Sequence, residues 1–244
     1  MAFAAGQAKS LKPSRPIRIE KTAPDVLWVT KLARTTVSEG SKYISEAIED
    51  SELGAHLARA FLSGGRSNYV QIGAPYELYA LARLVKPEHI VEIGVSAGLS
   101  SAYFLRALER NQHGKLHSID LPEKQVGSEF SGRKQACWAL PPGKSSGWAV
   151  PEGLGRNWDL RLGRSGDLLP ALIGELGSVD IFLYDVPYTF KSAVADFQTV
   201  DSKLRAGSIV LADNALKPIT SWAKLRRRKP MRRKGLGLQG FSVS

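Results

Sequence analysis

The chain has 244 residues, 43% of them hydrophobic and 23% charged, enough to bury a sizeable core in one α/β domain with or without a small appendage. Lysine and arginine number 34 against 23 acidic residues, a formal charge of +11, and cysteine occurs once, at Cys137. This composition excludes a disordered chain, a collagen-like repeat, an internal disulfide and a cysteine-based zinc site. Residues 1–24, with Pro13, Pro16 and Pro24, read as a loose basic arm. The opening MAFAAGQAKSLKPSRP puts its first lysine after the apolar stretch, the reverse of a secretory leader's order. No apolar run approaches the ~20 residues that span a bilayer, so a cytoplasmic protein with no membrane partner is expected.

From residue 25 to about 62 apolar residues recur at helical spacing: Val26, Val29 and Leu32, then Tyr43, Ile44, Ala47 and Ile48, then Leu53, Leu57 and Phe61. Gly64-Gly65 ends that block. A further helix over 75–85 opens on proline and stops before Pro87. The pattern predicts a helical N-terminal cap over 25–72, whose helices could support a homo-oligomer. From His89 the character changes. Strands are predicted at 89–94, 115–120, 159–163, 179–185 and 208–213, with helices at 99–110, 167–176 and 188–204. Alternation of this kind makes right-handed crossovers, hence a doubly wound, mostly parallel α/β sheet within 73–244. Between them, 121–158 is rich in proline and glycine and carries Trp138 and Trp148, which predicts a lid insertion. Those tryptophans either anchor the lid or face an aromatic substrate. The final LGLQGFSVS adds a last, edge strand.

The basic excess lies towards the ends. Residues 1–21 hold five basic side chains against Glu20, and 217–234 hold nine with no acid. Such runs, Arg226–Lys234 above all, suit nucleic-acid phosphates, and equally a solvated tail and helix end. No aromatic residue lies between Trp222 and Phe241 to stack a base.

The segment HIVEIGVSAGLSSAYFLRAL carries the chemistry. An apolar strand ends in Glu92-Ile93-Gly94, turns through Val95-Ser96-Ala97-Gly98 and enters a helix near Leu99. Glycine at 94 and 98 permits a tight turn and close approach of a ligand, towards which the helix start points free N–H groups. A bulky side chain at 94 is therefore expected to abolish ligand binding and leave the fold mostly intact. The order is E-x-G-x-x-x-G rather than the dinucleotide G-x-G-x-x-G. The next strand, KLHSID, ends in Asp120, where a carboxylate can accept both hydroxyls of a ribose.

From about Gly73 to Asn214 the sequence resembles the class I S-adenosylmethionine-dependent methyltransferases, which have a Rossmann-like fold. The resemblance implies that Glu92, Gly94, Ser96 and Gly98 line the methionine end of S-adenosyl-L-methionine, with Ser100 near its carboxylate. It implies that Asp120 holds the ribose, that Ser165 sits beside the adenine and that Asp185 borders the cofactor. VDIFLYDV ends in Asp185 and SIVLADNA in Asp213-Asn214, and these hard oxygen ligands suit magnesium or calcium. VLADNALKP is similar to the matching strand of catechol-type O-methyltransferases, where such a trio holds a divalent cation. SGDLLPAL looks like that branch and like bacterial and archaeal methyltransferase-domain proteins of unassigned substrate. The catechol-type lysine base falls here on Tyr188, with Lys191 a turn later, so Asp185 and Tyr188 are the catalytic candidates. His56, His89, His113 and His117 have no ligand spacing, and His117 reads as a core histidine. The expected activity is O-methylation of a small molecule by in-line transfer. The rivals are an RNA or DNA methyltransferase and a cofactor-binding protein without turnover.

Overall fold

The runs HIVEI, KLHSID, VDIFLY and LRAGSIVLA combine β-branched and aromatic residues, and each becomes a strand with a buried interior. The computed structural model describes residues 23–63, 73–122, 140, 141, 143–186, 189–213, 215–225, 227–233 and 238–243. The described strands are β1 (His89–Ile93), β2 (Lys115–Asp120), β3 (Trp158–Leu162), β4 (Val179–Tyr184), β5 (Leu204–Ala212), β6 (Met231–Arg232) and β7 (Gln239–Ser242). They form one sheet in the order β3-β2-β1-β4-β5-β7-β6. The first five are parallel, β7 is antiparallel to β5, and β6 is antiparallel to β7. The strand order reverses between β1 and β4, and in open α/β sheets ligands bind beyond the carboxyl ends of the strands at such a switch point.

The long helical pattern after residue 25 resolves into α1 (Val26–Ala33), α2 (Val37–Glu49) and α3 (Ser51–Ser63). Arg34 ends α1 in the left-handed region at φ 53°, and Thr36 and Asp50 accept from the backbone N–H groups of Glu39 and Leu53. The remaining described helices are α4 (Pro75–Val85), α5 (Leu99–Asn111), α6 (Ser165–Glu175), α7 (Phe190–Asp201) and α8 (Leu216–Leu225). Trp28, Val29 and Leu32 of α1 join Leu78 and Leu81 of α4 and Phe104 of α5 in one apolar cluster on one sheet face, with Ile90, Ile181 and Ile209. The other face packs Val91, Phe182 and Val210 against Leu169, Phe197 and Trp222 of α6, α7 and α8. Helix α1 is thus part of the layer that covers the sheet.

The C-terminal strand differs from expectation in one respect: β7 is not at the edge. Met231–Arg232 pairs outside it, because Arg233 N–H donates to Leu238 C=O (2.9 Å) and closes a hairpin. Two side chains pin that hairpin to the helices. The Trp28 indole donates to Met231 C=O (2.9 Å), and Arg233 pairs with Glu77 on α4, at 2.8 Å from Nε to Oε1 and 2.6 Å from Nη2. Arg233 is 2% exposed and Glu77 1%. Arg233 is therefore withdrawn from any basic surface, whereas Lys224, Arg227, Lys229 and Arg232 are exposed. Strand β6 lies four positions from β1, ~19 Å at the usual strand spacing, so the described part of the run sits far from the switch point. Arg226 and Lys234 lie outside the described residues, as do most of the arm and 123–139 of the lid, including Trp138.

Candidate active site

The turn after β1 has the backbone its glycines demand: Gly94 lies at φ 96°, Ser96 at 52° and Gly98 at 95°. Gly98 caps α5 with no side-chain hydrogen bond, leaving the first N–H groups of α5 without a side-chain cap. Gly94 is required for a reason the sequence hides. A Cβ there would lie 2.1 Å from the Asp185 carbonyl oxygen and 2.7 Å from Val186. Asp185 N–H donates to Ile93 C=O (2.8 Å) and Gly94 N–H to Ile119 C=O (2.9 Å), so β2, the β1 turn and the end of β4 close on one another. A larger residue at 94 strikes the strand ends themselves. The expectation of an intact fold with blocked binding is corrected accordingly.

Glu92 faces inward and is fully buried. Its carboxylate accepts from the hydroxyls of Ser100 (2.5 Å), Ser101 (2.7 Å) and Ser118 (2.7 Å), and the Trp158 indole donates to Ser118 Oγ (2.9 Å). Burial holds Glu92 above the usual carboxyl range, and the three hydroxyls oppose that shift. The Ser100 hydroxyl is thus committed to Glu92. Ser165, at the start of α6, likewise donates to Asp196 on α7 (2.8 Å), which is 3% exposed and is raised by burial.

Asp120 ends β2 half-buried, with Ser96 N–H donating to Oδ2 and Leu121 N–H to Oδ1, both at 3.0 Å. The N–H of Val95 and the hydroxyl of Ser146 also favour its charged form, and burial still holds its carboxyl above the ordinary value. Asp185 is half-buried and Asp213 6% exposed. Tyr184 and Ala212 are register partners, so these two aspartates follow on adjacent strands. Burial first, then the charge of Asp213, then Glu92 and Asp120, push Asp185 well above the usual carboxyl range. Asn214 and Tyr188, the third metal candidate and the catalytic candidate, lie outside the described residues. Lys191 is exposed on the first turn of α7. Among the described residues no group of three His, Cys, Asp or Glu side chains is placed to hold a metal.

Several contacts were not visible in the sequence. Trp148 packs edge-on against Phe61 (5.9 Å between centroids) and under Lys144, as an anchor would. His117 is a core histidine set between Asp159 (3.2 Å) and His89 (3.3 Å), with burial lowering its basicity. Ser101, Ser118, Ser146 and Trp158 were missed. The one signal for Ser118 was a polar residue amid the apolar positions of a strand; it is the register partner of Glu92, whose buried charge requires donors.

Residues 91–215, just over half of the chain, match a family model described as a methyltransferase domain. The chain belongs to that family, and its fold is the class I, S-adenosylmethionine-dependent methyltransferase fold. No curated protein matches it in sequence. Solved structures share the fold at low identity. An O-methyltransferase from Bacillus cereus in complex with SAH is 17% identical, with a TM-score of 0.54 over 83% of this chain and 96% of that one. The O-methyltransferase TomG from Streptomyces achromogenes, in complex with SAM, is 19% identical, with a TM-score of 0.53 over 80% and 91%. Cofactor-bound Rv0187 from MTB is 17% identical, with a TM-score of 0.54 over 80% and 90%. No helix among the described residues is long and apolar enough to cross a membrane.

Proposed function

We propose that this chain transfers the methyl group of S-adenosyl-L-methionine to an oxygen of a small molecule. The observation that carries the reading is the set of groups gathered at the switch point. The left-handed turn of Gly94, Ser96 and Gly98 and the start of α5, which has no side-chain cap, lie beside the carboxylate of Asp120, to which Ser96 N–H donates. Asp120 would accept the ribose hydroxyls, and the N–H groups at the start of α5, which lack a side-chain cap, would face the methionine end. The cofactor supplies the electrophilic methyl group, so the protein's part is alignment and exclusion of water. The fold shared with the Bacillus cereus enzyme and TomG supports oxygen as acceptor and SAM as donor. Calorimetry with SAH tests the cofactor reading directly. Asp120→Ala is expected to bind SAH about tenfold to a hundredfold more weakly, the equivalent of one or two hydrogen bonds to a charged group. Unchanged affinity would remove Asp120 from the site. Methyl transfer from labelled SAM to small phenols and to RNA then separates acceptors, and binding without turnover would favour a non-catalytic role.

Asp185 and Asp213 would hold a divalent cation, with Asn214 as a third ligand. Two adjacent carboxylates, with Asp185 held upward by burial and then by the charge of Asp213, suit a hydrated magnesium ion, which takes one or two carboxylates and keeps its waters. Such an ion would orient and acidify a substrate hydroxyl. Because the folded value of Asp185 is raised above the unfolded one, its contribution to stability is complete below the unfolded carboxyl pKa, about 3.9. That contribution is lost as pH rises through the raised value. Magnesium must displace the proton, so its stabilising thermal shift should grow as pH rises through that raised value. In Asp213→Asn the magnesium shift should disappear. A magnesium shift equal in wild type and Asp213→Asn would refute the assignment.

A further inference from the structure

The carboxylate of Asp120 already has a donor on each oxygen. Ser96 N–H donates to Oδ2 and Leu121 N–H to Oδ1, both at 3.0 Å, and the Ser146 hydroxyl and the Val95 N–H also favour its charged form. An ionised carboxylate offers about four lone-pair positions, so two ribose hydroxyls compete with donors already there. The main-chain donors are fixed by the β1 turn and the end of β2. The Ser146 hydroxyl can leave by rotation of one side-chain bond.

Ser146 is held in place by a strap of described residues from the end of the 121–158 segment. Gly147 N–H donates to Ser96 C=O (2.8 Å) and Ala149 N–H to Ala97 C=O (3.0 Å), so the strap is bonded to the turn after β1 itself. Two glycines make this approach possible. A Cβ at Gly98 would lie 2.9 Å from Gly147 Cα and 2.6 Å from Val150, and a Cβ at Gly147 would lie 2.1 Å from the Trp158 ring. Ser146 is consequently 8% exposed.

We propose that Ser146 is a built-in stand-in for a ribose hydroxyl, holding an acceptor position on Asp120 that the nucleoside takes over as it binds. The proposal rests on the reading of Asp120 as the ribose carboxylate. Its consequence is that Ser146 restrains cofactor affinity, since the incoming hydroxyl replaces a hydrogen bond rather than making a wholly new one. The strap's main-chain bonds survive this exchange, because they end on carbonyls of the turn and not on Asp120.

The test is calorimetric titration of SAH into wild type, Ser146→Ala, Ser146→Thr, Asp120→Ala and the Ser146→Ala/Asp120→Ala double variant. Ser146→Ala is expected to bind SAH about tenfold more tightly, the lower end of the worth of one hydrogen bond to a charged group. Ser146→Thr, which keeps the hydroxyl, should bind as wild type does. The gain should vanish in the Asp120→Ala background, because the exchanged acceptor is gone. If Asp120→Ala weakens binding while Ser146→Ala leaves it unchanged or weaker, the stand-in is overturned and the ribose reading survives. If Asp120→Ala leaves SAH affinity unaltered, the ribose reading fails and takes the proposal with it.

Discussion

Replacing Arg233 with methionine should destabilise the protein by about 3–5 kcal/mol, because it strands the Glu77 carboxylate without its cation in the interior. For a chain of this length that corresponds to a fall in Tm of roughly 6–20 °C. The pair does more than neutralise itself. Arg233 Nη2 also donates to Ala23 C=O (2.8 Å), and Asp25 N–H donates to Glu77 Oε1 (3.0 Å), so one buried cluster ties the β6–β7 hairpin, α4 and the entry to α1. Changing Glu77 to leucine as well should recover most of the loss, since an apolar pair of similar volume is often neutral. Urea unfolding of both single variants and the double variant measures this. A Tm for Arg233→Met within a degree or two of wild type would mean that the pair is not buried as described.

Gly94→Ala should be at least as damaging, with a loss above about 4 kcal/mol, the range reserved for clashes that the fold cannot relax. Two separable contributions act there. The left-handed backbone at φ 96° disfavours any Cβ by about 1–2 kcal/mol. The rest comes from the Asp185 carbonyl, 2.1 Å from the added carbon. Gly207 separates them, because its φ is 92° and a Cβ there meets nothing within 4 Å. Gly207→Ala should thus lose only the backbone part. Thermal melts of the two alanine variants would show the contrast, and equal losses would dismiss the strand-end clash. Cofactor binding should fail in Gly94→Ala together with the β1–β4 junction, rather than in an otherwise native protein.

Local signals in the sequence were enough for much of this. The apolar runs predicted β1 to β5 and their parallel order, since short strands alternating with helices have few other solutions. Glycine at 94 and 98 announced a tight turn, which both make with left-handed backbone, and Asp120 was placed at a strand end by counting. The exact breaks between the three N-terminal helices, and β6 outside β7, were less legible because they depend on caps and on a hairpin closed by packing.

Partner choice was decided by tertiary structure alone. In the sequence Arg233 is one more member of a basic run, yet it is buried against Glu77, 156 residues away. Ser100 and Ser165 look like crevice residues and turn instead to Glu92 and Asp196. Ser146 carries no motif, and only the strap's two main-chain bonds to the β1 turn bring it to Asp120. Periodicity and turn chemistry are properties of neighbours along the chain and survive in the sequence. Which donor reaches which buried carboxylate depends on sheet register and on the packing of segments far apart, and those exist only once the chain has folded.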